Sequence, residues 1–482
     1  MKVGGTLVSD ALSQAEELMK AEKDLSPAVK AMMTMLLLIV RLLMNRLGIN
    51  SSNTSTSPSQ DPNRVRGSKK SAQDGTDKKK AGGQKGRTGH RLNPIPNPDV
   101  VKVLKLDQRT LPKGHVYTEV GYEARQVFDI EIKRIVTEYQ AQILVDEMGK
   151  RYVAEFPPEA TKDAQYGLQV KAHAVYMSQY QLIPYARVQD YFSEQMHLPL
   201  SVGTLCNFNK AAYDLLEEFE RIAKLNLVPG AVLHADETGI NINKKLHWLH
   251  VASNGLWTHF YPHEKRGSAA TNDIGILPTF KGVLCHDHWK PYYIMTLCLH
   301  SLSNAHHLRE LTRAFEQDNQ MWAKALMALL LEIKKEVDKS GKGMLDEVLC
   351  LAYQEKYLAI LMAGRDECPD LPPPLEPKKR RGPVKQSKSR NLLERLIDYH
   401  QDVLRFMSDP VAPFTNNQAE NDLRMTKVHQ KISGCFRSND GALIFCRIRG
   451  YLSSCRKHGV NMTEALTLLF QGKMPDFVYD SI

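Results

Sequence analysis

The chain has little of what builds a disulfide scaffold, a membrane protein or a disordered polymer. Its 482 residues contain eight cysteines, at Cys206, Cys285, Cys298, Cys350, Cys368, Cys435, Cys446 and Cys455, with no CxxC pair among them. That scatter excludes a disulfide framework and predicts reduced thiols. Long apolar runs are also scarce. The longest lies within Ala31–Val40, interrupted by Thr34, and is shorter than the roughly 18–20 residues that span a bilayer. Acidic residues precede that run and no small-residue cleavage site follows it, so a signal peptide is not expected. The expectation is a cytoplasmic protein without membrane attachment. What is present is a globular composition, 42% hydrophobic, 24% charged and 7% aromatic, with enough apolar surface to offset chain entropy. At roughly 100–200 residues per domain, the length predicts two to four domains.

The net charge of +10 is concentrated in two tracts. Arg64–Arg91 carries ten basic and two acidic residues, with Lys78, Lys79 and Lys80 at its centre. Lys378–Arg390 carries seven basic and no acidic residues, beginning Lys378, Lys379, Arg380, Arg381. Clustered cations release counterions on meeting a polyphosphate, which gives salt-sensitive affinity without sequence readout. Nucleic acid is the partner that this charge pattern predicts; a solvated linker is the alternative for either tract alone.

Seven segments follow from the patterning. Residues 1–48 read as an N-terminal helical segment with apolar positions at helical spacing from Ala11 to Leu47, suited to self-association. Residues 49–100 read as a flexible basic linker poor in apolar residues. Alternation through Tyr122–Val145 predicts a small β module over 101–155. Residues 156–229 read as helical, with a helix-turn-helix pattern across Ala186–Met196 and a second helix capped by Ser201; such a pair can enter a major groove or simply pack in a core. Within 230–304, Ala231–Ile242, Leu246–Ser253 and Leu256–Pro262 read as strands, Asn254–Gly255 as a hairpin turn, Ser268–Ile274 as a helix and Phe280–His288 as a buried strand, in the order β-β-β-α-β. Residues 305–410 are again mainly helical around the basic loop, and 411–482 close the chain with helices near Asn416–Lys427 and Ala442–His458.

Three carboxylates stand in unusual contexts. Asp236 lies within a strand reading LHADETG, Asp287 ends a strand reading VLCHDHW, and Glu420 opens a helix reading NNQAENDLRMTK. Burying an unpaired carboxylate is costly, and shared hard cations are one arrangement that resolves the cost. Glu237 rivals Asp236, but adjacent strand residues point to opposite faces, so only one of the two can face shared ions.

In order and wording, HADETG, KGVLCHDHWKPYY, SNAHHLREL and NNQAENDLRMTKVHQKISGCFRS resemble the DDE transposases of bacterial insertion sequences, the insertion-sequence-66 family in particular. LGINSSNTSTSPSQD and GGQKGRTGH are similar to the linker of that family, and the resemblance runs from about residue 45 to the C-terminus. It implies a multi-domain, mainly α chain with an α/β RNase H-like (DDE) catalytic domain split by a helical insertion. It places the catalytic, metal-binding triad on Asp236, Asp287 and Glu420, which would hold two Mg²⁺ or Mn²⁺ ions. It implies a transposase that binds terminal inverted repeats, cleaves DNA and joins it to a target, acting as an oligomer in a synaptic complex near the nucleoid, with small accessory proteins of the element as further partners. The alternatives are a catalytically silent DNA-binding regulator or scaffold, and an RNase H-like nuclease. Many family members carry a zinc-binding module rich in cysteine ahead of the central helices; residues 92–205 contain no cysteine here, and zinc is not expected.

Around the triad, Lys427 lies two helical turns beyond Glu420 and Arg424 one turn. Both, with Lys431, are candidate DNA contacts; a surface pair with Glu420 is the alternative for Arg424. Trp289 can stack on an unpaired base or pack in the core. His306 is a candidate pocket residue.

Overall fold

The computed structural model describes residues 2–3, 6–22, 26–48, 50, 92–370 and 386–480. The tract Arg64–Arg91 and the residues Lys378, Lys379, Arg380 and Arg381 lie outside that set. At the N-terminus, β1 (Lys2–Val3) and β2 (Thr6–Leu7) precede α1 (Val8–Ala21) and α2 (Pro27–Gly48). Two helices stand where the spacing predicted one. Proline at the first helical position lacks the amide that a continuous helix would need, and the Ser26 hydroxyl accepts from the Val29 amide instead, at 3.4 Å. Glu16 of α1 pairs with Arg41 of α2 at 2.8 Å. Met32, Met35, Leu36, Leu38, Leu42 and Leu43 are all exposed on α2. The 18 residues Pro27–Met44 are long and apolar enough for a membrane span by length and composition, which run length alone did not indicate.

Residues 92–167 differ from expectation. Regular structure there is limited to a short 3₁₀ turn and one hairpin, β3 (Ile143–Val145) paired with β4 (Arg151–Val153). Val116, Val120, Val127, Ile130 and Ile135 are exposed. Alternation supplies one apolar face, but a strand becomes stable only when that face meets another layer, and among the described residues none covers it.

The five-stranded sheet follows a helical layer of α3 (Leu168–Val175), α4 (Tyr185–Met196), α5 (Val202–Leu215) and α6 (Glu217–Leu227). Ser201 caps α5, its hydroxyl accepting from the Thr204 amide at 3.0 Å. Strands β5 (Val232–Ile242), β6 (Lys245–Ser253), β7 (Thr258–His263), β8 (Val283–His286) and β9 (Leu299–Leu302) lie in the order β7-β6-β5-β8-β9. β5–β6 and β6–β7 are antiparallel, whereas β5–β8 and β8–β9 are parallel. Asn243 and Lys244, at φ 47° and 63°, form the turn that matches the twist of the first hairpin. α7 (Ser268–Ile274) crosses between β7 and β8. β9 was not foreseen: four residues after a break carry too little period to be seen.

Alternation divides the sheet between two cores. Leu233, Ala235 and Leu284 join the helices α3 to α6 and the closing helices α14 (Asn439–Lys457) and α15 (Met462–Phe470). Ile240, Ile242, Leu249 and Val251 pack instead against Ala419 and Leu423 of α13 (Asn417–Ser433). Between β9 and α13, α8 (Asn304–Asp318), α9 (Met321–Ser340), α10 (Glu347–Glu367), α11 (Lys388–Asp398) and α12 (His400–Ser408) build a third core around Trp322, Leu326, Tyr357 and Leu393. Arg390, the last residue of the second basic tract, is an internal tie of this unit, donating to the Cys368 carbonyl at 2.8 Å and pairing with Glu394 at 2.9 Å.

The start of β8 lies directly against the start of β5. A methyl group on Gly282 would come within 2.5 Å of the carbonyl oxygens of both Ala231 and Gly230. Gly282→Ala is therefore expected to lower stability by about 1–3 kcal/mol through overpacking, read as a lower urea midpoint with an unchanged slope; an unchanged midpoint would mean that the strands part without cost.

Candidate active site

The parallel register sets the first two acids. Val232, Leu233 and His234 of β5 pair with Val283, Leu284 and Cys285 of β8. Two residues on, along each strand, stand Asp236 and Asp287. Equal offsets give both side chains the same face at neighbouring positions, about one strand spacing of 4.8 Å apart. They lie where the parallel pairing of β5 with β8 gives out, Asp236 within β5 and Asp287 just past β8, beside the end of the parallel strand β8, the kind of place ligands take in such sheets.

Glu420 approaches from α13, on that same face. The start of α13 is held by Asn416, whose side-chain amide donates to the Ala235 carbonyl at 2.8 Å and whose carbonyl oxygen pairs with His234 Nδ1 at 2.9 Å. Its backbone amide donates to the Ser303 hydroxyl at 3.1 Å. One turn later, the Glu420 amide closes on the Asn416 carbonyl at 3.2 Å. Farther along, Lys457 of α14 donates to Asp422 of α13 at 3.0 Å and to the Thr258 hydroxyl at 2.6 Å, joining both helices to the sheet.

Glu237 points the other way and is satisfied there. One oxygen takes Arg266 Nε at 2.7 Å and the other the Tyr292 hydroxyl at 2.5 Å. Arg266 is itself held between two indoles, 4.7 Å from the Trp248 ring and 4.3 Å from Trp289. Among the described residues, Asp236 and Asp287 each accept only a nearby backbone amide, from Glu237 at 2.8 Å and Trp289 at 3.0 Å. Glu420 Oε1 is buried and accepts no hydrogen bond; His306 Nε2 stands 3.4 Å away and Arg309 3.9 Å.

The charges are correspondingly uncompensated. Burial, then repulsion from Glu237 and Asp287, raises the Asp236 carboxyl well above the usual range, and Glu420 adds to it. Burial also raises Asp287 and Glu420, against opposing effects that include Arg266 and Arg395 on the first and Arg309 and Arg424 on the second. Burial, with Arg309 and Arg395, depresses His306 to about 4, so it is neutral at physiological pH. An all-oxygen set of acids short of partners is the donor chemistry that hard divalent cations take. Among the described residues, no three acidic, imidazole or thiol groups stand close enough together to enclose one ion.

A family model described as Transposase IS66 family matches residues 163–443. The chain belongs to that family. As a member of the transposase IS66 family it is a transposase, an enzyme acting on DNA. A second model, of a family of unknown function (DUF6444), matches residues 8–93. No curated protein matches.

The remaining predicted contacts are placed as follows. Lys427 Nζ donates to the Gly239 carbonyl at 2.8 Å and to Gln430 at 3.3 Å, so the sheet edge occupies it. Arg424 and Lys431 are exposed on α13. The Trp289 face is taken by Arg266. Sequence reasoning passed over Asn416, His234, Arg266, Arg309 and Arg395. The first Asn of NNQAEN carried the only signal, as a helix-start residue.

A carboxyl raised on folding leaves the folded state holding more protons than the unfolded chain between the two pKa values. Stability therefore falls as pH rises from about 4, the unfolded value, through the higher folded one. Asp236→Asn is expected to stabilise the protein at pH 7 by about 1–3 kcal/mol and to do little near pH 4, measured by urea unfolding at both. Destabilisation at pH 7 would mean that the charge has a partner.

Proposed function

We propose that this transposase binds the terminal inverted repeats of its own insertion sequence, hydrolyses the phosphodiester at each end and transfers the freed 3′ hydroxyl to target DNA, with Asp236, Asp287 and Glu420 as its catalytic acids. The observation that carries the reading is the equal register offset of Asp236 and Asp287 beyond the parallel pairing of β5 with β8, opposite Glu420. The strand order, with two antiparallel pairs followed by two parallel ones, suits an RNase H-like catalytic domain, and the helices α8 to α12 then constitute its insertion. Asp236, Asp287 and Glu420 would hold Mg²⁺ or Mn²⁺, which supplies charge neutralisation at the phosphate and an activated oxygen nucleophile. Hard oxygen ligands short of hydrogen-bond partners fit that role.

The protein's part is positioning. Asn416 and Ser303 fix the turn that presents Glu420, the sheet register fixes the two aspartates, and the pairing of Glu237 with Arg266 and Tyr292 keeps a fourth carboxylate out of the centre. The basic tracts Arg64–Arg91 and Lys378–Arg390 would hold the DNA backbone without reading sequence, and Arg424 and Lys431 extend that positive surface along α13. Two ends must be brought together, which suits an oligomer, and the apolar α2 is the segment suited to it.

The test is cleavage of a labelled duplex carrying the element's own end, in Mg²⁺ or Mn²⁺. Wild type should nick at the end, and Asp287→Ala and Glu420→Ala should each lose about 10³-fold or more in rate, the loss of several kcal/mol of charge stabilisation, while binding DNA as wild type does in Ca²⁺. Cutting without regard to the end sequence would indicate a nuclease. Binding without cutting by wild type would favour the regulator.

A further inference from the structure

Around Asp287 the helical unit contributes more than a scaffold. Of nine buried side-chain nitrogen and oxygen atoms without a hydrogen bond among the described residues, four belong to His288, Tyr293, Arg395 and Glu420. Buried polar atoms are nearly always paired, so this local excess marks a place that something else completes. The four groups come from three separated stretches of chain. His288 and Tyr293 follow β8, Arg395 lies in the last turn of α11, and Glu420 opens α13. Tyr399, one turn after Arg395, packs its ring 4.4 Å from His288 and 4.5 Å from Tyr293, which holds the end of α11 against the strand that carries Asp287.

Arg395 is anchored on one side only. One of its terminal nitrogens pairs with Glu310 of α8, while Nε has no acceptor. The side chain is 27% exposed. Its charge acts on Asp287, His288 and His306, and Arg309, next to Glu310 on α8, stands 3.9 Å from Glu420 and is 28% exposed. Two guanidinium groups from α8 and α11 thus flank the acids, both reachable from solvent and neither hydrogen-bonded to them. Arg309 Nε donates to the Ala305 carbonyl at 3.2 Å, which fixes the plane of its guanidinium, and a planar guanidinium fork is suited to a phosphate.

We infer that Arg309 and Arg395 form a phosphodiester-binding arm, through which the helical unit grips the DNA strand beside the carboxylates. The inference rests on the proposed action on DNA ends. Arginine contacts of this kind neutralise one phosphate each and release its counterions, so each contributes about 0.9 to the slope of log affinity against log salt.

The experiment compares Arg395→Gln, Arg395→Lys, Arg309→Gln and Glu310→Gln in the full chain, using fluorescence anisotropy of an end duplex in Ca²⁺ across a salt series, with thermal melting in parallel. Arg395→Gln and Arg309→Gln should each lower the salt slope by about one and weaken binding several-fold. Arg395→Lys should restore the slope, since the charge remains. Where wild type cleaves, it should leave the cleavage rate at least tenfold low, since the fork is lost. Glu310→Gln breaks the same ion pair from the other side. It should lower the melting temperature about as much as Arg395→Gln does, yet leave the slope unchanged. If Arg395→Gln and Glu310→Gln behave alike in binding, or if the slope is unmoved by either arginine, the pair is structural and the inference fails. Binding answers this even if wild type does not cut, so the arm and the catalytic reading fail separately. Absence of any DNA binding by wild type overturns both.

Discussion

The structure turns on the parallel pairing of β5 with β8. Because His234 lies beside Cys285, the chain must bring Asp236 and Asp287 together just beyond that pairing, and two carboxylates at about one strand spacing repel in a partly dry site. Among the described residues no hydrogen bond joins either to a cation, and each has one neighbouring amide. The arginines Arg266, Arg309, Arg395 and Arg424 stand around the acids and moderate the field. The repulsion is left in place, and the surrounding packing supplies the stability that this costs.

That surrounding packing is dense and well connected. Glu220 of α6 takes His259 of β7 at 3.0 Å and Arg447 of α14, holding helices on the sheet. Lys457 ties α14 to α13 and to the β6–β7 turn through Asp422, Thr258 and the Asn254 carbonyl. These ties fix α13 as a rigid lever with Glu420 at its first turn. A site built on locked strands and a locked helix keeps its geometry when a ligand arrives, which is what positioning catalysis requires.

Legibility in the sequence followed the length over which a pattern repeats. The eleven residues of β5, with Asp236 among alternating apolar positions, and the Asn254–Gly255 turn are strong local signals, and the strands, their turn and α7 were read from them nearly in place. So were the helices around Ser201 and Glu420. The single long N-terminal helix was overruled by Pro27, and the β module by the absence of a covering layer for Val116 to Ile135. Arg390 counted as a free cation in the basic tract because its partners Cys368 and Glu394 are fixed only by tertiary folding. The same holds for Asn416 with Ala235 and Arg266 with Glu237, which lie 181 and 29 residues apart. No period or spacing in a single sequence connects such pairs.

The attachment of the helical unit gives its arginines a further consequence. The chain leaves the sheet at Ser303–Asn304 and returns at Phe414–Asn416, and both crossings meet: the Asn304 amide donates to the Phe414 carbonyl at 3.0 Å and the Asn416 amide to the Ser303 hydroxyl at 3.1 Å. Arg405 of α12 adds a bond to the His300 carbonyl of β9 at 2.5 Å. The unit's core takes in Leu302 of β9 and packs Tyr293, so the unit is seated on the sheet edge at one corner, beside Asp287. His306 and Arg309 open α8 on one side of that corner, and Glu420 opens α13 on the other. Glu420 belongs to the sheet side of this corner, because Asn416 and Asp422 tie α13 to β5 and α14, whereas Arg309 and Arg395 belong to the helical unit. Arginines from the helical unit and acids from the sheet and α13 thus meet at this one corner.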